Sequence, residues 1–289
     1  MKYLYYPGCS LEGSAQEYNI STKAVLKALG VELVELSDWT CCGASAAAAV
    51  SPLLALALPA RNLAIAEKVS DVTDIIVPCS ACYLNLKKVE ETIRREPGVL
   101  VKLNAVLETE NLKLSGRIRV RHLLDVLSRN IDANRIRSLT ERPLSMISIA
   151  PYYGCQCLRP YPVFDNPERP VSMNPLIEAA GARVHPWAMG GVCCGASNLN
   201  THPSVGISLV TALLQEARGA DAIVTVCPMC QLNLEGYQSK ASGAGNEDLQ
   251  IAVLYLPQLL GIALGLPNAD IRLDLNLSAN KAFRFKCRQ

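Results

Sequence analysis

The sequence predicts an α/β fold of two similar, duplicated domains, each a small parallel sheet with flanking helices and cysteine loops at the C-terminal strand ends. Three observations support this prediction. The chain has 289 residues, enough for two domains that each bury a core. One cysteine pattern occurs twice along it, and in both halves short apolar runs alternate with segments of helical character.

Three motifs occur in the same order in both halves. The pairs are CCGAS at residues 41–45 and 193–197, YYPGCS at 5–10 and YYGCQC at 152–157, and VPCSACYLNL at 77–86 and TVCPMCQLNL at 225–234. Such a repeat indicates two diverged copies of one domain. We place the copies at residues 1–142 and 143–289. The linker is predicted at Ser128–Pro143, which is rich in Arg and Asn and poor in apolar residues.

Strand-like apolar runs occur in both halves, and all of them except Ile251–Tyr255 lead into the cysteine loops. They are Lys2–Tyr6, Val31–Leu36 and Asp74–Val77 in the first half, and Ser145–Ala150, Ala182–Pro186, Ala222–Val226 and Ile251–Tyr255 in the second. Helices are predicted at Ala15–Leu29, after Gly43, at Leu84–Arg95 and, following the run Arg117–Arg121, at Leu123–Leu127. Strands that alternate with helices favour a parallel sheet. Every cysteine group except Cys287 follows a strand, at the edge where open α/β sheets bind ligands.

The composition argues against several partners and locations. A net charge of +2 gives no reason to expect nucleic acid or an anionic membrane as a partner. Pro7 and Gly8 interrupt the first apolar run, so the N-terminus does not resemble a signal peptide. Two apolar stretches, Ala44–Ala60 and Ile251–Leu266, fall short of the ~20 residues that a bilayer span requires. We therefore expect a cytoplasmic chain without a transmembrane segment.

The chain has twelve cysteines, and in a reducing compartment such a set more commonly binds metal or carries out redox chemistry than forms disulfides. Each half repeats five of them. Five thiols cannot all pair, and five exceed the four ligands of structural zinc. A thioredoxin-like dithiol needs only one Cys-x-x-Cys motif, which leaves the other three cysteines of each half unexplained. An iron–sulfur cluster, which uses thiolate ligands, is the remaining option.

The adjacent cysteines favour a site with several irons. The side chains of neighbours such as Cys41 and Cys42 diverge, so they do not easily enclose one ion, but they can reach different irons of one cluster. Gly43 and Gly195 let the backbone approach closely. Zinc in one half and inert core thiols stay open as alternatives.

Two cysteines lie outside the repeat. Cys157 follows Cys155 closely and has no counterpart in the first half, where Leu11 stands; it is a further candidate for a ligand or redox thiol. Cys287 lies near the end of the chain and is expected to take no part in the site.

The cysteine spacing resembles a known family. C-x31-CC-x36-C-x-x-C and then C-x37-CC-x32-C-x-x-C resemble the twin CCG domains of the heterodisulfide reductase B-subunit family over nearly the whole chain. Related CCG domains occur in iron–sulfur subunits of glycolate and lactate oxidases and in a class of succinate dehydrogenase. Those proteins often carry additional ferredoxin-type runs, C-x-x-C-x-x-C-x-x-x-C-P, which this sequence lacks.

The resemblance implies one noncubane [4Fe-4S] cluster in each CCG domain, two in all. The ligands it implies are Cys9, Cys41, Cys42, Cys79 and Cys82 for the first cluster, and Cys155, Cys193, Cys194, Cys227 and Cys230 for the second. It further implies that electrons come from the ferredoxin-like C subunit of a heterodisulfide reductase-type complex, fed by its flavin-containing A subunit. The sequence itself has no G-x-G-x-x-G fingerprint for a flavin or nicotinamide.

The expected reaction is cleavage, or the reverse formation, of a disulfide at two clusters, in methanogenesis or sulfur metabolism. Cleavage takes two electrons, and a cluster usually passes one, so a duplicated site matches the stoichiometry. Tyr153, Lys87 and His185 are the candidate proton donors. One alternative is an electron-relay subunit of a hydroxyacid or succinate oxidoreductase. Another is a zinc-bound scaffold without catalytic activity.

Overall fold

In the computed structural model, each half of the chain folds around its own four-stranded parallel sheet. The structure describes residues 1–44, 46–245, 247–279, 283, 286 and 287. The central strands are apolar runs that are buried along most of their length, as expected for parallel sheets covered by helices on both faces.

The described residues of the first half form four strands and eight helices. In chain order they are β1 (Lys2–Tyr5), α1 (Gly8–Glu12), α2 (Gln16–Ala28), β2 (Glu32–Glu35), α3 (Ala46–Val50), α4 (Pro52–Ala66), β3 (Asp74–Val77), α5 (Ser80–Arg95), α6 (Pro97–Leu107), β4 (Arg119–His122), α7 (Leu123–Arg129) and α8 (Ala133–Leu139). The strand order is β2-β1-β3-β4, and Val77 of β3 lies beside His122 of β4. A short 3-10 turn at Glu108–Glu110 follows α6.

The second half repeats this topology. Its elements are β5 (Ser148–Tyr152), α9 (Asn174–Ala179), β6 (Arg183–Val184), α10 (Pro203–Glu216), β7 (Ala222–Thr225), α11 (Pro228–Gly236), α12 (Gln238–Gly245), β8 (Ala252–Tyr255), α13 (Leu256–Ala263) and α14 (Asn268–Ile271), with 3-10 turns at Ala196–Asn198 and Leu273–Leu275. The strand order is β6-β5-β7-β8, and Thr225 of β7 lies beside Tyr255 of β8. The register at the end of β8 thus matches that at the end of β4.

The predicted α/β class and the duplicated parallel sheets are confirmed. The Ala/Leu-rich segment after Gly43 is two helices, because the Ser51 hydroxyl caps α4 by accepting from Leu54 N at 3.4 Å and Pro52 occupies the first turn. The predicted strand Ala182–Pro186 is only the two-residue β6. The segment Ser128–Pro143, predicted as linker, includes α8 with Ile136 buried.

Two aromatic stacks cross between the halves. Tyr18 of α2 stacks on Tyr255 at a centroid distance of 4.1 Å, and Phe164 stacks on His122 at 6.0 Å. Tyr18 and Phe164 stand at equivalent places after the first cysteine of each half, and Tyr255 and His122 end equivalent strands. The two stacks therefore occupy equivalent positions in the two halves, and both join one half to the other.

The same interface ties together the segments that precede the Cys-x-x-Cys motifs. The Tyr18 hydroxyl lies 3.2 Å from both Pro78 O and Val226 O, and the Ser80 hydroxyl also donates to Val226 O at 3.2 Å. Burial of these groups makes the hydrogen bonds costly to break. The loops that carry Cys79 and Cys227 are thus fixed relative to one another. Within the described residues, no helix is both long and apolar enough to cross a membrane.

Candidate iron–sulfur site

All ten repeated cysteines line one cavity of about 260 Å³ between the two halves. They are Cys9, Cys41, Cys42, Cys79, Cys82, Cys155, Cys193, Cys194, Cys227 and Cys230. The cavity lies beyond the C-terminal ends of the central strands, because β1, β3, β5 and β7 each run into one of these cysteine loops. The topology therefore places two sequence-distant sets of five thiols around one space.

In the first half, the sulfur atoms pair at short distances. The Sγ atoms of Cys42 and Cys82 are 3.3 Å apart, and those of Cys9 and Cys41 are 3.9 Å apart. Cys42 and Cys82 are buried, whereas Cys9 and Cys41 are exposed. This set thus has a buried side and a side that is open to solvent.

The second half has the same arrangement with less exposure. The Sγ atoms of Cys194 and Cys230 are 3.7 Å apart, and Gly195 N donates to Cys193 Sγ at 3.3 Å. Cys155 and Cys193, the counterparts of Cys9 and Cys41, are half-buried rather than exposed. The equivalent cysteines are present, but solvent reaches the second set less freely.

Two glycines make room for the sulfur atoms. Gly8 has φ +72°, and a Cβ there would lie 2.9 Å from Cys82 Sγ. Its counterpart Gly154 has φ +68°, and a Cβ there would lie 2.9 Å from Cys230 Sγ. A side chain would therefore meet both backbone strain and a clash with the sulfur. In both halves the backbone is shaped around the last cysteine of the motif.

Aromatic residues brace both sets of cysteines in the same way. Tyr6 donates to Thr40 O at 2.8 Å, and Tyr152 donates to Val192 O at 2.7 Å; each carbonyl immediately precedes its cysteine pair. The two hydroxyls hold the Cys-Cys loops against the strand ends. The repeated Tyr-Tyr before each first cysteine was the signal that could have revealed this role.

Two asparagines were likewise missed as site residues. Asn85 donates to Cys42 O at 3.2 Å, and Asn233 donates to Cys194 O at 2.8 Å. Each belongs to the Leu-Asn-Leu that follows a Cys-x-x-Cys motif. The repeat showed that these residues match, but only the fold shows that they bond the cysteine pair.

The thiols within each set differ in pKa. The hydrogen bond from Cys82 lowers the pKa of Cys42 to about 7, and that from Cys155 lowers the pKa of Cys193 to about 6. The hydrogen bond from Cys230 lowers the pKa of Cys227 to about 7. The donating partners have raised pKa values for the same reason. Thiolate, the form that binds metal, is thus favoured at positions in both sets.

The donor set fits a multi-iron cluster in each half. Five sulfur atoms surround a shared space, and thiolates are soft ligands suited to iron–sulfur clusters. Five also exceeds the four ligands that a structural zinc ion accepts. Across the described residues, no group of three or more His, Cys, Asp or Glu side chains is arranged to hold a single metal ion.

The three candidate proton donors lie in different places. Tyr153 lines the cavity, and its hydroxyl accepts from Met173 N at 2.8 Å. Lys87 lies outside the lining and is paired with Glu90 at 2.8 Å and with Glu91 at 3.7 Å. His185 lines a second, separate cavity. Only Tyr153 is therefore brought to the thiols.

The two cysteines outside the repeat do not line the cavity. Cys157 is fully buried and donates to Tyr153 O at 3.2 Å, and burial raises the pKa of its thiol. Cys287 is also buried, and burial raises its pKa to about 12. The neutral thiol is favoured at both, unlike at Cys42, Cys193 and Cys227, whose pKa values are lowered.

The sequence matches the family model described as CCG, a cysteine-rich domain, at residues 3–87 and 149–235. This chain belongs to the CCG family, with one domain in each half. It is 34% identical over 280 residues to the 8-methylmenaquinol:fumarate reductase membrane anchor subunit of Wolinella succinogenes, covering 96% of both chains. It is 27% identical over 288 residues to the B subunit of the ferredoxin/F420H2-dependent CoB–CoM heterodisulfide reductase of Methanosarcina acetivorans, covering 97% of this chain and 95% of that one.

Another relative is the heterodisulfide reductase B-subunit-like protein of Archaeoglobus profundus, 27% identical, with 92% of this chain and 91% of that one covered. The resemblance to the heterodisulfide reductase B-subunit family is thus confirmed. The fumarate reductase subunit of Wolinella succinogenes is a relative of the kind expected for the alternative, an electron-relay subunit. Among solved structures, a hypothetical protein from Helicobacter pylori has a TM-score of 0.76 at 17% identity. The match covers 96% of this chain and 52% of that one, and it supports the fold alone.

Proposed function

We propose that this chain is a disulfide oxidoreductase subunit that binds two noncubane [4Fe-4S] clusters and cleaves or forms a disulfide between them. One observation carries the proposal: both sets of five thiols line the same cavity. A structural metal site has no need to share its cavity with a second set of ligands. A two-electron reaction on one small molecule does need two one-electron centres facing one space.

The chain's own residues would hold and orient the disulfide. The lining includes apolar groups from both halves, among them Ala44, Ala81 and Met229, together with Ser10, Ser80 and Gln156 as polar groups. Bound clusters would supply one electron each, and two electrons convert the disulfide to two thiols once two protons are added. The buried Tyr153, whose pKa is raised mainly by burial, keeps its phenolic proton.

The Ser80 hydroxyl is fixed where it lines the cavity. Leu124 N donates to His122 Nδ1 at 3.2 Å, so the neutral imidazole carries its proton on Nε2, 3.2 Å from Ser80 Oγ. Ser80 in turn donates to Val226 O. The serine is therefore held in one orientation at the boundary between the two sets of thiols.

Electrons would reach this chain from partner proteins in the cytoplasm. The related heterodisulfide reductase proteins are named as subunits, which supports a multi-subunit assembly. In the proposed complex the ferredoxin-like C subunit supplies electrons that it receives from the flavin-containing A subunit. The exposed Cys9 and Cys41 make the first set the more accessible point of entry.

A second candidate function is that of an electron-relay iron–sulfur subunit in a hydroxyacid or succinate oxidoreductase, of the kind that transfers electrons between a quinol and fumarate. The specific observation that favours it is the 34% identity, over 96% of both chains, to the membrane anchor subunit of a menaquinol:fumarate reductase. In this function the two clusters only pass electrons, and the cavity takes no disulfide.

One experiment separates the two candidates. The chain is purified without oxygen, reduced, and mixed with coenzyme M–coenzyme B disulfide or with bis(2-hydroxyethyl) disulfide. EPR spectra and free thiols are then measured. Disulfide cleavage predicts a changed cluster signal and about two thiols formed per two electrons consumed. An unchanged signal and no thiol with either disulfide would contradict disulfide chemistry and leave the relay. Cys287→Ala, outside the cavity, is the matched control.

A further inference from the structure

The cavity that the two sets of thiols share is otherwise lined by uncharged side chains. Beyond the ten cysteines, its lining consists of three alanines, three serines and one residue each of Met, Gln and Tyr. Among the residues that the structure describes, no Lys, Arg, His, Asp or Glu belongs to this lining. The proposed function commits the cysteines to the clusters, so the other lining residues are the ones left to contact a substrate. Whichever of them do so, the contact is made by an uncharged group.

Two cations that stand close to the cysteines in the sequence are held outside the cavity. The Arg159 guanidinium donates to Gly191 O and pairs with Glu168 at 3.2 Å. The Lys87 ammonium pairs with Glu90 at 2.8 Å. Neither cation lines the cavity. Both therefore already have partners, and a negatively charged group in the cavity would not find them there.

This lining is unfavourable for an anion. A charge that leaves water is costly unless an opposite charge and several hydrogen bonds compensate it. Cysteine binds metal as the thiolate, so the ligands of the clusters add negative charge around the same space. A sulfonate, phosphate or carboxylate close to the disulfide sulfurs would therefore meet negative charge without a compensating cation.

The same lining suits neutral arms on a disulfide. Ser10, Gln156 and Ser197 bring hydroxyl and amide groups to the cavity from both halves. Such groups donate to and accept from hydroxyls and amides without the cost of burying a charge. Ala44 and Met229 offer apolar surface for the carbon atoms next to the disulfide.

We propose that the cavity takes a disulfide whose arms are uncharged and carry hydroxyl or amide groups, in preference to an anionic disulfide. The inference rests on the proposed function, because it names the substrate class of that reaction. Cleavage of the S–S bond takes up two electrons from the donor protein and two protons, and it releases two uncharged thiols.

The test compares two disulfides that have the same two-carbon arms. Bis(2-hydroxyethyl) disulfide is neutral, and bis(2-sulfonatoethyl) disulfide is a dianion. Calorimetric titration of the oxidised full chain, purified without oxygen, measures binding without turnover, and reduced methyl viologen as electron donor then gives kcat/KM. We expect the neutral disulfide to bind and react at least about tenfold better than the dianion. Equal values for the two, or a preference for the dianion, would overturn the proposal.

A cation placed in the lining should change this preference. Met229 lines the cavity and is 43% exposed, so Met229→Lys adds a positive charge there with little threat to the fold. It should tighten binding of the dianion about tenfold. Leu232→Lys adds the same charge to the same helix, α11, at an exposed position outside the lining, and should leave binding of both disulfides unchanged. Unchanged binding of the dianion in Met229→Lys, or equal tightening in Leu232→Lys, would contradict the role given to the lining.

The same measurements separate this inference from the proposed function. A chain with its full iron content that binds and cleaves neither disulfide refutes disulfide chemistry itself, and this inference with it. A chain that cleaves both, with the dianion equal or preferred, supports the proposed function and refutes only the inference. The wild-type comparison decides this point even if Met229→Lys is unstable.

Discussion

The two halves share one plan for holding cysteine and differ in what surrounds it. Gly8 and Gly154, and likewise Asn85 and Asn233, have equivalent contacts with the cysteine loops. The environment has diverged: the outer thiols are exposed in the first half and half-buried in the second. The comparison teaches that the placement of the cysteines is the part that the two CCG domains of this chain have kept alike. The exposure of the outer cysteines to solvent differs between the two domains.

The largest expected effect is loss of one cluster at a time. If the halves bind iron independently, Cys42→Ala and Cys194→Ala should each reduce iron from about eight to about four atoms per chain. Iron analysis and EPR of anaerobic preparations provide the measurement. Cys157→Ala and Cys287→Ala are matched controls that should keep the full iron content. Full iron content in Cys42→Ala or in Cys194→Ala would contradict the proposal that each half binds its own cluster.

Substitutions of Gly8 and Gly154 test whether both halves require a glycine at the position beside the last cysteine of the motif. Gly8→Ala and Gly154→Ala should each cost about 2 kcal/mol or more, because a left-handed φ and a contact with sulfur are both penalised. Each variant should also lose iron from its own half. Thermal unfolding and iron analysis measure the effect. The control Gly98→Ala, in α6 with open space around it, should be neutral or stabilising. A similar cost for Gly98→Ala would contradict this explanation.

The cross-domain stacks predict a pH dependence that belongs to one half. His122 is fully buried and faces Ser80, Tyr83 and Phe164, and burial lowers its pKa to about 3. The unfolded chain binds a proton near pH 6.5 that the folded chain does not bind until about pH 3, so stability falls as the pH decreases through this window.

At pH 5 the loss from His122 should reach about 2 kcal/mol relative to pH 7 and above. His122→Gln, which keeps a donor for Ser80 without titrating, should reduce the pH dependence of unfolding by this amount. His202→Gln, at an exposed position, is the control and should not. An unchanged pH profile in His122→Gln would show that the neutral imidazole is not the cause.

The smallest expected effect separates the two asparagines. Asn233 is buried and bonds Cys194 O at 2.8 Å, whereas Asn85 is half-buried and bonds Cys42 O at 3.2 Å. Replacement by Leu leaves the carbonyl unpaired, which costs more where water cannot reach it. Denaturant unfolding should show Asn233→Leu to be the more destabilising by about 1 kcal/mol. The opposite order would mean that burial does not control these bonds.

The sequence was sufficient for the features that repeat. Alternating apolar runs predicted the parallel sheets, and the spacing of the ten cysteines identified the thiols that line one cavity. It was insufficient where contacts come from distant segments. Lys87 and His185 were candidate proton donors, His185 because it lies just before the second cysteine pair in the sequence. In the fold, Glu90 and Glu91 hold Lys87 outside the cavity lining, and His185 at the end of β6 lines the other cavity.

Pairing across the halves could not be read from one sequence either. Tyr18 contacts Tyr255, and Phe164 contacts His122, only because the two halves share one core, in which helix α2 packs against α13. The segment Gln156–Met173 contains no helix where its first-half counterpart contains α1 and α2, so the repeat gave no template for its conformation. Its shape depends on the hydrogen bonds that Asp165 accepts from backbone N–H groups of the same segment, which are set by the local turns.

The most direct test is metal analysis with EPR on the intact chain, purified without oxygen. The two-cluster proposal predicts about eight irons per chain and signals from two iron–sulfur centres, one of which disappears in Cys42→Ala and the other in Cys194→Ala. Zinc in place of iron, or iron confined to one half, would contradict it.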